Sequence, residues 1–242
     1  MRIEKISVGA LQVNCYILLD EGSKKALVID PGDDADRIYK KLTNELNVEC
    51  VAILLTHGHF DHIMGVKELK GLTGAPVWAG ADEYRLLGDA DLNVSKRIRR
   101  AEEIIPDRLL MDGERVDVSG LTFKVLFTPG HTEGSVCYYF DKDGVLITGD
   151  TLFRFGYGRT DLPTGNEAAL FASITNRLFK LPPDTKCYPG HGEATDIATE
   201  RNNFGLPRFN WALRGCKRHR NCTCKKMACA WRIFWPRKRI LR

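Results

Sequence analysis

A mixed α and β fold built in packed layers is what this sequence predicts, on three observations. Short apolar, β-branched runs such as residues 51–55 and 121–127 recur along the chain and read as buried strands. Longer stretches repeat apolar residues at helical spacing, as do Ile38, Leu42 and Leu46. Gly-containing turns separate the two kinds of segment, and strands interleaved with helices require layers to bury both.

In chain order, residues 13–19 and 25–30 form a predicted hairpin turning around Asp20-Glu21-Gly22-Ser23. Asp33 or Asp34 is placed to cap a helix running to about residue 46. The strand of residues 51–55 then leads into Thr56-His57-Gly58-His59-Phe60-Asp61-His62 and a predicted helix over residues 63–72. Residues 76–79 suggest a short strand. Helices are predicted near 81–87 and 95–104, in a polar excursion that either overhangs a site or merely covers the core. Strands follow at 115–119, 121–127, 135–140 and 145–148, and a helix at 166–179 is closed off by Pro182-Pro183.

The 56–62 stretch carries the chemistry. His57 and His59 are two residues apart, so in extended chain both imidazoles can face one ion, while Asp61 and His62 are placed to serve a second. Imidazole and carboxylate suit zinc, iron or manganese. Further candidate ligands, His131, Asp150 and His191, each follow a predicted strand within a Gly-containing turn. Five of the six histidines fall in these places, and only His219 does not. A lone strand histidine is usually a satisfied core residue, but five at strand ends are not explained that way.

With Asn14-Cys15-Tyr16, Asp30-Pro31-Gly32, the H-x-H-x-D-H stretch, Pro129-Gly130-His131-Thr132, Gly149-Asp150-Thr151-Leu152-Phe153, Gly158-Arg159-Thr160-Asp161-Leu162-Pro163 and Tyr188-Pro189-Gly190-His191-Gly192 in order, residues 1–203 resemble the metallo-β-lactamase superfamily of hydrolases. Within it they resemble the glyoxalase II-like, or hydroxyacylglutathione hydrolase-like, branch. The resemblance implies a four-layer αββα sandwich and two divalent ions, zinc first, with iron or manganese as alternatives. His57, His59 and His131 would hold one ion, and Asp61, His62 and His191 the other, with Asp150 bridging. A metal-bridged hydroxide, oriented by Asp61, would attack an S-acyl glutathione-like thioester or another ester. Asp61 and Asp150 are thus the expected catalytic carboxylates.

Arg159 lies near the position at which that branch carries a basic residue for the glutathione carboxylate. The bland alternative is an ion pair with Asp161. No segment after His191 resembles the helical domain with which glyoxalase II grips glutathione. A persulfide dioxygenase of the same superfamily would use one iron on His57, His131 and Asp150. A lactonase or β-lactamase could use the same centre, although a β-lactamase would be expected to carry an export signal. The diiron flavoprotein branch has Glu where this chain has His59.

Composition adds bounds. The N-terminus lacks the apolar region of a signal peptide and no run approaches the roughly 20 apolar residues of a membrane span, so a cytoplasmic enzyme is expected. Cys15, Cys50, Cys137 and Cys187 read as buried reduced thiols. Twelve of the 36 Lys and Arg and none of the 31 Asp and Glu lie in residues 204–242, so the first 203 residues carry 24 positive against 31 negative charges. That tail holds Cys216, His219, Cys222, Cys224 and Cys229 beside Trp211, Trp231 and Trp235. It reads as a disordered extension or a reading-frame artefact, with zinc-assisted nucleic-acid binding or membrane-surface binding as the alternatives. The sequence leaves oligomeric state open.

Overall fold

The computed structural model describes residues 1–204; the tail assigned above to residues 204–242 therefore lies, apart from Phe204, outside the described residues. The first sheet takes its strands in sequence order: β1 (Arg2–Val8), β2 (Val13–Asp20), β3 (Lys25–Ile29), β4 (Glu49–Leu55), β5 (Val77–Gly80) and β6 (Arg108–Leu110). β1 to β3 pair antiparallel, and β3 to β6 run parallel. The parallel part is joined by α1 (Ala35–Lys40), which continues as a π-helix over Lys41–Leu46, and by α2 (Phe60–Ile63), α3 (Val66–Thr73) and α4 (Tyr84–Leu87). β7 (Arg115–Val118), β8 (Leu121–Phe127), β9 (Val136–Phe140) and β10 (Val145–Gly149) begin the second sheet. A small hairpin, β11 (Leu152–Phe153) with β12 (Gly156–Tyr157), and α5 (Glu167–Asn176) intervene. β13 (Lys186–Pro189) and β14 (Thr195–Asp196) then complete the sheet in the order β14-β13-β10-β9-β8-β7, followed by α6 (Ile197–Asn203).

Three apolar layers show why these elements stack as four. Strand side chains alternate, so Cys15, Ile17, Val28 and Ile53 face α1 and α3, whose Ile38, Leu42 and Leu69 close the first layer. Their neighbours Tyr16, Leu18, Leu27 and Leu54 face Phe123, Tyr138, Phe140 and Ile147 of the other sheet. On the far side Cys137, Leu146 and Cys187 meet Leu170 and Ile174 of α5 and Ile197 of α6. The result is the four-layer αββα sandwich. Phe123 sits at the centre of the middle layer, with its ring centroid 5.4 Å from Tyr138 and 5.3 Å from Phe140. Phe123→Ala is expected to cost about 3–5 kcal/mol, read as a lowered urea midpoint at unchanged m. A shift worth under about 1 kcal/mol would mean that the layer can collapse around the gap.

Several predicted helices are broken where another hydrogen bond competes. The helix at 63–72 is interrupted at Gly65, whose N–H goes to Pro31 O at 2.9 Å, giving α2 and α3. Residues 81–87 form a 3-10 turn, Ala81–Glu83, ahead of α4. The helix at 95–104 is absent beyond a 3-10 turn, Ser95–Ile98. There Ser95 N–H donates to Asn93 Oδ1, Ser95 Oγ accepts from Glu102 N–H, and Arg99 adopts φ 61°, so side-chain bonds fold the chain back instead. Asp34 does occupy the N-cap of α1, but its carboxylate accepts from Gly9 N–H rather than from the helix. Asn166 caps α5 as a side-chain acceptor for Ala169 N–H, and that helix ends at Asn176 with a further 3-10 turn, Leu178–Lys180.

The excursion backs the 56–62 stretch. Phe60 N–H donates to Asn93 O at 3.0 Å, and a Cβ on Gly58 would lie 2.7 Å from Leu86 and 2.8 Å from Leu87 side-chain atoms. Among the described residues no helix is long and apolar enough to cross a membrane.

Candidate metal centre

β4 runs parallel to its neighbours, and β8, β10 and β13 share one direction in the second sheet, so their C-terminal ends deliver the four ligand-bearing turns to one edge. Two hydrogen bonds between the sheets close that edge: Val136 N–H to Thr56 O at 2.8 Å and Tyr138 Oη–H to Leu55 O at 2.6 Å.

There the candidate ligands meet in two groups, His57 with His59 and His131, and Asp61 with His62 and His191. Asp150 stands between them. Its Oδ1 is 3.4 Å from His62 Nε2, and its Oδ2 is 3.6 Å from His131 Nε2 and 3.7 Å from His191 Nε2. Asp61 Oδ2 lies 3.3 Å from His191 Nε2. His191, with 25% of its side chain exposed, marks the open side of an otherwise buried cluster.

The donor set fits metal ions. His62 Nε2 and Asp150 Oδ1, which face each other at 3.4 Å, are buried without a hydrogen-bond partner. Three ring nitrogens also crowd together: His131 Nε2 is 2.8 Å from His59 Nδ1 and 3.2 Å from His57 Nε2. Three ring nitrogens brought that close are placed to share one cation.

Surrounding groups decide which nitrogen faces in. His131 Nδ1 donates to the Arg159 carbonyl at 2.7 Å, leaving the Nε2 lone pair free. His62 Nδ1 donates to Asp30 Oδ2 at 3.0 Å. Thr56 Oγ1 donates to the same carboxylate at 2.6 Å and lies 3.1 Å from His57 Nδ1, whose proton it accepts. Asp30 thereby orients two imidazoles. Asp30, His57 and His62 also come within ligand distance of one another, but the Asp30 oxygens already accept from Thr56 and His62. Asn14 Nδ2 holds the His191 turn by donating to Pro189 O and Gly192 O, both at 2.9 Å, and Tyr16 Oη–H joins at Pro189 O.

Charge divides the centre. Burial, then the neighbouring imidazoles, holds His57 well below the usual histidine range and brings His59 down to about 3, so this half is neutral. Burial also opposes charge on His62, yet Asp150, Asp30 and Asp61 together hold it well above that range. The carboxylate half therefore calls for positive charge. Burial alone would raise the Asp150 carboxyl, but His191, His62 and His131 hold it well below the ordinary value.

Sequence reasoning placed Asn14, Tyr16 and Asp30 in motifs without roles, and it passed over Thr56 and Glu83. Glu83 is buried, and burial pushes its carboxyl up to about 7 against three hydrogen-bond donors. A charged residue in a polar stretch gives no sequence signal of burial. Arg159 contributes its carbonyl to His131, while its guanidinium pairs with Asp161 at 2.7 Å and 2.8 Å.

The probable metallo-hydrolase YqgX of Bacillus subtilis (strain 168) is 37% identical over 204 residues, covering 84% of this chain and 95% of its own. Hydroxyacylglutathione hydrolase GloC of Haemophilus influenzae is 35% identical over 206 residues, covering 84% and 96%. Among solved structures, the B3 metallo-β-lactamase BLEG-1 is similar at 39% identity and a TM-score of 0.79, covering 83% of this chain and 97% of its own. TTHA1623 in a di-iron-bound form is similar at 36% identity and 0.73, covering 83% and 98%. Residues 8–191 match the family described as the metallo-beta-lactamase superfamily. With a matching sandwich and a ligand-type cluster at its strand ends, this chain belongs to the metallo-β-lactamase superfamily and is a metallo-hydrolase.

Proposed function

We propose that the chain hydrolyses a thioester of the S-acyl glutathione type to a free acid and a thiol at a centre of two divalent ions. The observation that carries this reading is the pair of three-ligand groups with Asp150 between them. In it His57, His59 and His131 hold one ion, Asp61, His62 and His191 the other, and Asp150 reaches both. Zinc suits this donor set, with iron or manganese as alternatives; the di-iron-bound relative supports iron. When bound, the ions supply the charge that makes a water nucleophilic at neutral pH and steadies a developing oxyanion.

The chain's own groups do the rest. Asp61 accepts a hydrogen bond from the attacking water and orients it. Because a thiol ionises at about pH 8.5, the leaving group needs little protonation and no dedicated acid. GloC, named for hydroxyacylglutathione hydrolysis, supports the substrate class. Among the described residues, four free, buried cysteines support a reducing compartment, the cytoplasm.

Arg159 is the proposed contact for a substrate carboxylate. Its present partner, Asp161, is 68% exposed, and such a surface pair is worth at most about 1 kcal/mol, so a ligand carboxylate displaces it cheaply. Arg159→Ala is expected to raise KM about tenfold while kcat stays within about threefold, the mark of uniform binding. Unchanged KM would return Arg159 to its pair with Asp161.

Elemental analysis of purified protein beside hydrolysis of S-lactoylglutathione tests the whole reading. Near two ions per chain with turnover is the expected result, and fully loaded protein without thioester turnover would sink the substrate class. A second reading, a persulfide dioxygenase with one iron on His57, His131 and Asp150, draws on the close approach of His131 to the other two. One iron per chain with thiol-dependent oxygen uptake would decide for it. Lactones and β-lactams suit the same centre, and the likeness to BLEG-1 supports including a β-lactam in the same assay.

A further inference from the structure

Two loops supply the three-histidine group, and they come from different sheets. His57 and His59 follow β4, whereas His131 follows β8. Between the loops lies Glu83, at the end of a 3-10 turn after β5 and 1% exposed. Its Oε1 accepts from Gly58 N–H at 2.7 Å, between the two histidines of the first loop. Its Oε2 accepts from Thr132 Oγ1–H and from Gly134 N–H, both at 2.9 Å, on the second. Thr132 is held in turn by Ser135, whose Oγ lies 2.6 Å from Thr132 Oγ1 and accepts from Thr132 N–H.

All three partners of the carboxylate are neutral. A buried carboxylate without a cation is costly, and an apolar side chain of similar size would fill the space at no such cost. What an apolar side chain cannot do is accept from two loops at once. The backbone is also shaped for this contact: a Cβ on Gly134 would lie 2.1 Å from Glu83 N, so only glycine lets the second loop come this close.

We propose that Glu83 is a positioning residue that sets the spacing between the loop of His57 and His59 and the loop of His131, and through it the affinity of the three-histidine site. The inference rests on the reading in which those histidines hold an ion. Glutamine offers one acceptor oxygen in place of two and turns an N–H₂ group towards one loop, so Glu83→Gln releases that loop while preserving size.

Titration of the metal-free, full-length protein with Co²⁺ tests this, because a site of three nitrogens and one carboxylate and a site of two nitrogens and two carboxylates absorb differently in the visible. Elemental analysis fixes the number bound, and circular dichroism checks the fold. Wild type is expected to bind two ions. Glu83→Gln is expected to weaken the three-histidine site by about 10–100-fold, the size of effect expected from an outer partner of a ligand. The site of Asp61, His62 and His191 should stay within about threefold, since no bond of Glu83 reaches it. Thr132→Val removes one donor and keeps the carboxylate; it should weaken the same site several-fold, with Thr132→Ser restoring it, and this pair decides the matter if Glu83→Gln does not fold. Folded variants that bind both ions as wild type does, or that lose both equally, would overturn the positioning role. Wild type that takes up no ion at the three-histidine site would overturn the metal reading as well.

Discussion

Asp150→Asn is expected to lower kcat/KM for the thioester by at least about 10³-fold, or about 4 kcal/mol of transition-state stabilisation. The substitution keeps the shape of the side chain and removes one negative charge from the one carboxylate that faces both groups. It lies 3.4 Å from His62, 3.6 Å from His131 and 3.7 Å from His191, whereas the oxygens of Asp30, the acid near His57 and His62, already accept from Thr56 and His62. The strand end is built to hold it there. Gly149, at φ +47°, turns the chain, and a Cβ on that glycine would lie 2.3 Å from Thr56 Oγ1. Elemental analysis should show fewer than two ions in the variant at unchanged circular dichroism. Asp150→Asn that keeps two ions and a tenth of the activity would remove the bridging role.

Gly190→Ala should be nearly as damaging, by about 10²-fold or more in kcat/KM, although it touches no ligand's chemistry. Its added Cβ would lie 2.3 Å from Asp150 Oδ1 and 2.7 Å from His62 Cε1. Gly190 is not in the left-handed region, so alanine meets no backbone penalty and only the missing space opposes it. Restoring contact distance needs a shift of about 1 Å in Asp150 or His62, enough to spoil a site that depends on both. Gly192→Ala is the useful contrast. No atom lies within 4 Å of its Cβ position, while φ +80° strains the backbone, so it should lower stability more than metal content. Equal metal content in Gly190→Ala and wild type would show that the strand end yields.

Much of this centre is legible in the sequence because its signals are local. Residues 51–55 announce a buried strand, and the four candidate ligands that follow sit within six residues. His131, Asp150 and His191 are legible for the same reason, each in a Gly-containing turn after an apolar run. The failures are local as well, but in the opposite sense. Residues 95–104 have the composition of a helix, yet Asn93 and Ser95 offer the backbone side-chain partners that a helix cannot use. Gly65 is the non-local exception, breaking a good helical pattern because Pro31, far back in the chain, claims its N–H.

By itself the sequence determined the candidate donors and the mixed α and β character of the fold, since residue type, spacing and apolar alternation act over a few residues. Tertiary structure alone decided which donors meet, which nitrogen of each histidine faces inward and what holds the loops apart. Those outcomes depend on hydrogen bonds between residues distant in sequence: His131 to Arg159 across 28 positions, His62 to Asp30 across 32, Glu83 to Gly134 across 51 and Asn14 to Pro189 across 175. The last two join the halves of the fold that carry the two sheets, and all four lie where burial makes an unpaired polar group costly enough to select one partner.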